Sequence, residues 1–187
     1  MNRVFEYDIL PQIKERWSPR AFSDEKISKD DLYAILEAAS YAPSCFNEQP
    51  WRFILADEEK SLVKMRSILY ASNLQWAQKA PVLLLIMAKK TFSLNNENNF
   101  WHMFDTGTAW GFLSLEAQKR GIMTHAMGGF SMSKARKLFK IPEDYEIVTV
   151  VAIGRYGDKE QLSDELKERE SPETRKNISE LLLIKGE

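Results

Sequence analysis

The chain has 187 residues, 44% of them apolar, and carries 26 basic against 27 acidic side chains. That length and apolar share suit one folded domain and exclude a disordered or fibrous chain. The near-balanced charge argues against a nucleic-acid binder, and no apolar run approaches the ~20 residues of a membrane span.

The opening stretch MNRVFEYDILPQIKERW is charged throughout and has no signal-peptide apolar core. Arg16-Trp17-Ser18-Pro19-Arg20 follows. Pro19 biases Ser18 toward an extended conformation, in which Arg16, Ser18 and Arg20 point the same way. Two guanidinium forks and a hydroxyl on one side suit a phosphate or another planar anion. A solvated basic stretch ahead of a helix is the other reading, and spacing alone leaves both open.

Residues 28–41 read as a helix. Ser28 and Asp31 resemble a capping box, and Leu32, Ile35, Leu36 and Ala39 recur at helical spacing. Pro43 stops that helix, and 40–53, SYAPSCFNEQPWRF, is a loop carrying a dense set of short polar side chains. Pro43 and Pro50 bracket Ser44, Cys45, Asn47, Glu48 and Gln49. A turn needs one or two such side chains, so a run of them on a rigid scaffold points to binding, and a helix-to-strand connection whose polar residues face water is the other reading. A strand over 51–56 follows, then a helix over about 58–70. Asn73 and Trp76 lie one turn apart on a short helix ended by Pro81.

PVLLLIMA, 81–88, is apolar on both faces and predicts an interior strand. The polar loop 91–99, TFSLNNENN, is a candidate lid or an ordinary exposed connection. Residues 100–120 predict the long helix, with Gly121 as its C-terminal cap. Gly107 and Gly111 share one of its faces, where another helix could approach closely at a core or a subunit interface.

A strand over 122–127 ends in Gly128-Gly129-Phe130, with Ser131 opening the next helix. The two glycines either expose N–H groups to an acceptor or make a plain turn. Pro142 ends that helix, and 146–153 predicts a second core strand closed by Gly154-Arg155. Residues 158–176 are charged and loosely patterned, with Arg169 and Arg175 among them. The apolar tail at 178–184 has little local core to join, so it is expected to pack on another subunit.

His102 and His125 lie on different elements and Cys45 is the single cysteine, so no metal ligand set is expected. Each histidine reads as a packed or surface residue. One cysteine makes no internal disulfide, and a cytoplasmic protein is expected. Neither GxGxxG after a strand nor GxxxxGK[ST] occurs.

In order, RWSPRAF, APSCFNEQPWRF, an Asn before the interior strand, a helix with an Asp-x-Gly core, GIMTHAMGGF and AIGRYG resemble the FMN-dependent nitroreductase family. The resemblance runs from about Arg16 to Arg175. It implies an α+β fold with a central, mostly antiparallel sheet flanked by helices. It also implies one domain over 1–187 forming an intertwined homodimer, with the arm from about 158 to 187 on the partner and a C-terminal strand exchanged.

The resemblance further implies two FMN at the dimer interface. Arg16, Ser18 and Arg20, with Trp17 between them, would hold the phosphate and pyrimidine side. Pro43, Ser44, Asn47 and Gln49, with Cys45 where Ser is common, would reach the flavin from the other subunit. Asn73 would contact it, and so would Trp76, which stands where some relatives carry lysine. Gly128 and Gly129 would lie by the reactive face, with the Gly129 N–H near flavin N5. Gly154, Arg155 and Arg175 would complete the phosphate site.

The activity implied is ping-pong hydride transfer from NAD(P)H through flavin N5 to a nitroaromatic, a quinone or a related small-molecule acceptor. That chemistry asks for no protein nucleophile. Alternatives on the same scaffold are flavin reduction, dehalogenation, enal or aldehyde reduction, or FMN binding without turnover.

Overall fold

The computed structural model describes residues 3–183. After a short first helix, α1 (Pro11–Glu15), the chain crosses the site segment and enters α2 (Lys29–Ser40). The Ser28 hydroxyl caps α2 by accepting the Asp31 N–H at 3.1 Å, while the Asp31 carboxylate accepts the Ser28 O–H at 2.8 Å. Such a cap is worth about 1 kcal/mol. The polar loop closes as one 3-10 turn, Cys45–Asn47, and leads into β1 (Trp51–Ala56).

Helices α3 (Glu59–Arg66) and α4 (Ala71–Ala77) come next. One helix over about 58–70 was expected, but it stops at Arg66. Beyond it the chain pairs with the Gly128 turn: Leu69 bridges Phe130, Ser131 N–H donates to the Ile68 carbonyl, and Tyr70 N–H donates to that of Gly129. These contacts bury Ile68 and Leu69, and that non-local burial outweighs about four more residues of helix.

β2 (Val82–Lys89), α5 (His102–Lys119), β3 (Met123–Met127), α6 (Met132–Phe139) and β4 (Tyr145–Gly154) complete the body. The four strands form one antiparallel sheet in the order β1-β2-β4-β3. β2 is buried along all but its last residue. Its alternate side chains serve two cores, as the period of two requires. Leu83, Leu85 and Met87 meet Leu62, Met65, Trp76 and Ala135 of α3, α4 and α6. Val82, Leu84 and Ile86 meet Leu32, Ile35, Ala109 and Leu113 of α2 and α5.

Gly121 ends α5 as expected. Its φ is +66°, its N–H donates to the Gln118 carbonyl, and Ile122 N–H donates to Ala117 O at 2.9 Å. That is a Schellman motif. No other atom comes within 4 Å of a side chain built at Gly107 or Gly111. Within one chain their face is open, and it is flanked by exposed Phe104 and Phe112.

The arm after β4 is less detached than expected. α7 (Asp164–Glu168) buries Leu166, and Leu162 before it is also buried, both in this chain's own core. α8 (Ile178–Leu181) is one turn of helix, after which Leu182 and Leu183 are exposed. The last residue of the expected apolar tail, Ile184, lies outside the described residues. No described helix is long and apolar enough to cross a membrane.

Candidate functional site

Residues 16–20 pass beside β3 and are held from both sides. The Pro19 carbonyl accepts the Nδ1–H of His125 at 2.8 Å. Behind them the carboxylate of Glu170 is buried and accepts the Arg20 N–H at 2.8 and 3.1 Å and the Ala21 N–H at 2.8 Å. Arg3 ties this segment to the C-terminal arm, donating to the carbonyls of Arg16 (2.7 Å) and Glu173 (3.2 Å).

A cavity of about 330 Å³ results, and Arg3, Arg20, Arg169, Arg175, Ser18 and His125 are among its walls, with Trp17. Arg16 lies at its side, its guanidinium 3.5 Å from the Ser18 hydroxyl. Burial, and then the charges of Arg175 and Arg3, pull the Arg16 pKa below its ordinary value. Arg3 is pulled down likewise by burial and by Arg175. These crowded cations repel one another, and a dianion between them would relieve the repulsion. The donor set fits the phosphate end of FMN. Among the described residues, no group of three His, Cys, Asp or Glu is placed to hold a metal.

The Gly128–Gly129 turn follows β3 on the same sheet edge. Asn73 Nδ2 donates to the Gly129 carbonyl at 3.1 Å. A Cβ at Gly129 would stand 2.6 Å from that Nδ2, so a side chain there would push the Asn73 amide aside. The Gly129 N–H has no acceptor among the described residues. Three expected site residues have other work. Trp76 is 3% exposed, with its ring 4.5 Å from that of His125 and stacked on Phe22. Gly154 is buried where a Cβ would meet Pro81 and Phe22 at 2.8 and 2.9 Å. Arg155 turns away and pairs with Glu25 at 3.0 Å. Trp76 and Gly154 therefore support the site through the core, and Arg155 is not in the cavity wall.

The Pro43–Gln49 loop sits elsewhere, at the start of β1. Phe46, Asn47 and Gln49 all have positive φ, at 51°, 57° and 51°. Such strain costs about 1 kcal/mol or more at Phe and Gln, and persists because the surroundings impose it. Cys45 N–H donates to the buried Asp105 carboxylate at 3.0 Å, and Gln49 N–H to the Ser44 hydroxyl at 3.0 Å. Glu48 accepts from both the N–H and the hydroxyl of Ser93, which joins this loop to the 91–99 loop. Pro43, Asn47 and Gln49 are exposed.

The sheet order puts β1 and β3 on opposite edges with β2 and β4 between them. Three strand spacings are about 14 Å. One chain therefore brings Arg16, Ser18, Arg20, Arg175, Asn73 and Gly129 to one edge and leaves Pro43, Ser44, Cys45, Asn47 and Gln49 at the other. Sequence reasoning missed Arg3, Arg169 and Glu170, and it read His125 only as a packed or surface residue.

The Nitroreductase family model matches residues 13–75 and 62–155. An Archaeoglobus fulgidus protein, described as a candidate NADH dehydrogenase/NAD(P)H nitroreductase, is 32% identical over 151 residues, covering 79% of this chain and 84% of its own. An iodotyrosine deiodinase of Thermotoga neapolitana is 25% identical over 171 residues, covering 79% of this chain and 87% of its own. A crystal structure of an oxidoreductase containing FMN superposes with a TM-score of 0.93 at 36% identity, covering 97% of this chain and 94% of that one.

Proposed function

This chain belongs to the nitroreductase family, and from that premise we propose that it is an FMN-dependent NAD(P)H oxidoreductase that works as a homodimer. The observation that carries the reading is the split site. An arginine-walled cavity and the Gly129 turn share one sheet edge, while the strained polar loop lies at the other. A second copy of the chain supplies the missing half to each site. The open face of α5 at Gly107 and Gly111, with Phe104 and Phe112 beside it, supports burial against that copy. Residues 178–183, whose apolar side chains are exposed within one chain, then pack on the partner.

When bound, FMN supplies two-electron redox chemistry between NAD(P)H and a nitroaromatic, quinone or related acceptor. The protein's part is binding and orientation. Arg20, Arg169 and Arg175 neutralise the phosphate with Ser18, and Arg16 stands beside them toward the pyrimidine side. Asn73 holds the Gly129 turn, and the free Gly129 N–H would be the donor offered to the flavin ring. Asn47 and Gln49, fixed by the loop's own hydrogen bonds, reach in from the second subunit.

The test is anaerobic. FMN-loaded protein is mixed with NADH or NADPH, and the flavin colour is followed before and after nitrofurazone or menadione is added. Bleaching and recovery are expected. Bleaching by dithionite but by neither nucleotide would leave a flavin-binding protein without this turnover. Similarity to the deiodinase favours reductive dehalogenation as the second reading, and an iodinated phenol as acceptor distinguishes it.

A further inference from the structure

His125 is one of two histidines in the chain and forms part of the arginine-lined cavity wall. Its two ring nitrogens are not equivalent. Nδ1 is 2.8 Å from the Pro19 carbonyl oxygen, an atom that only accepts, so Nδ1 carries a proton. Nε2 has no partner among the described residues, and it is not among the buried side-chain atoms that lack one. Of the two ring nitrogens, Nε2 is the one left for the cavity that His125 lines. The Trp76 ring at 4.5 Å fixes its orientation.

The protonation state decides what Nε2 can do. Burial, and then the charges of Arg20 and Arg16, hold the imidazole neutral and bring its pKa to about 4, against the opposing pull of the Pro19 hydrogen bond. Arg3, Arg169 and Arg175 share the cavity, with Glu173 as the opposing charge in its wall. With Nδ1–H committed to Pro19, Nε2 is a bare lone pair. It repels a phosphate oxygen and accepts from a hydroxyl.

Resting on the flavin-phosphate reading of the cavity, we infer that His125 Nε2 is the acceptor for a hydroxyl of the bound ligand's polyol chain. The arginines recognise the phosphate, as they would any phosphate. His125 adds selectivity for a phosphate joined to a hydroxylated chain. Asn73 and Gly129 lie beyond it on the same edge, so the ribityl chain passes His125 on its way to the ring.

The experiment labels the full-length flavin-free protein with [15N]histidine and follows the ring nitrogens on addition of FMN or inorganic phosphate. His125→Asn assigns the resonances; its amide can still donate to the Pro19 carbonyl but offers nothing at Nε2. FMN is expected to move the His125 Nε2 signal toward the hydrogen-bonded range with the Nδ1 proton retained, and phosphate alone to leave it unmoved. His125→Asn is expected to weaken FMN about 3- to 10-fold, the worth of one neutral hydrogen bond, with phosphate affinity unchanged. An unmoved Nε2 with FMN bound, or conversion to imidazolium, overturns the inference while the flavin reading stands. Should His125→Asn fail to fold, the unaltered protein's spectra decide, with His102 as the single other ring to separate. Failure of the unaltered protein to take up FMN overturns both.

Discussion

Replacing Glu170 tests how the C-terminal arm builds the site. Its carboxylate is 0% exposed and accepts the backbone N–H groups of both Arg20 and Ala21, at 2.8 to 3.1 Å, with the Arg20 guanidinium 3.9 Å away. Glu170→Ala leaves those two donors in a space too enclosed for ready hydration. Each unsatisfied group costs about 1–3 kcal/mol, and partial relaxation brings the sum to roughly 2–4 kcal/mol. For a chain of this length that corresponds to a Tm lower by roughly 4–16 °C. Glu170→Gln keeps one acceptor oxygen and is expected to lose about half as much. The assay is thermal unfolding of flavin-free protein at one fixed concentration, followed by FMN titration of each variant. Because the same carboxylate anchors residues 16–20, FMN affinity is expected to fall with stability. A Glu170→Ala protein within about 0.5 kcal/mol of the parent would refute the reasoning, since it would show that water or a backbone shift satisfies both donors.

Three further outcomes follow from the geometry. Arg20→Ala or Arg175→Ala removes a charge-assisted donor worth about 1.5–3 kcal/mol, so FMN binding by fluorescence quenching is expected to weaken about tenfold to a hundredfold. Riboflavin, which lacks the phosphate, should not respond. His125 makes the flavin-free protein acid-sensitive: its pKa is about 4 when folded, against 6.5 for the ordinary side chain. Between those values only the unfolded chain binds the proton, so stability is full above pH 6.5 and falls as pH drops toward 4. The loss is about 3 kcal/mol at most, and urea midpoints of His125→Asn against the parent across that range should show its removal. Lys140 closes α6 in the left-handed region at φ 52° and ψ 43°. Lys140→Gly should raise the unfolding free energy from urea titration by about 1 kcal/mol without changing FMN affinity.

The parts of the fold legible in the sequence are those set by neighbours along the chain. The β2 run announces burial on both faces, Ser28 announces the start of α2, and Gly121 announces the end of α5. The spacing around Pro19 singled out Arg16 and Arg20, and the family motifs added Arg175 and the antiparallel arrangement of the sheet. What local pattern could not show is where distant segments meet. Glu170 reaches Arg20 across 150 residues and His125 reaches Pro19 across 106, and neither spacing leaves a periodic trace. The same blindness works in reverse at Trp76 and Gly154. Both sit in motifs that the resemblance assigns to the flavin, yet one fills the core and the other leaves room for Pro81 and Phe22. The end of α3 at Arg66 is a third case, in which a bridge to Phe130 overrides helical spacing.

The proposed flavin site is completed by two copies of the chain. Size-exclusion chromatography with light scattering and simultaneous visible absorbance tests it most directly, on purified protein loaded with FMN. A dimer carrying one FMN per chain is expected, with loss of the bound flavin when the chain is cut back to residue 177 and runs as a monomer. A monomer that holds FMN as tightly as the intact protein would contradict it.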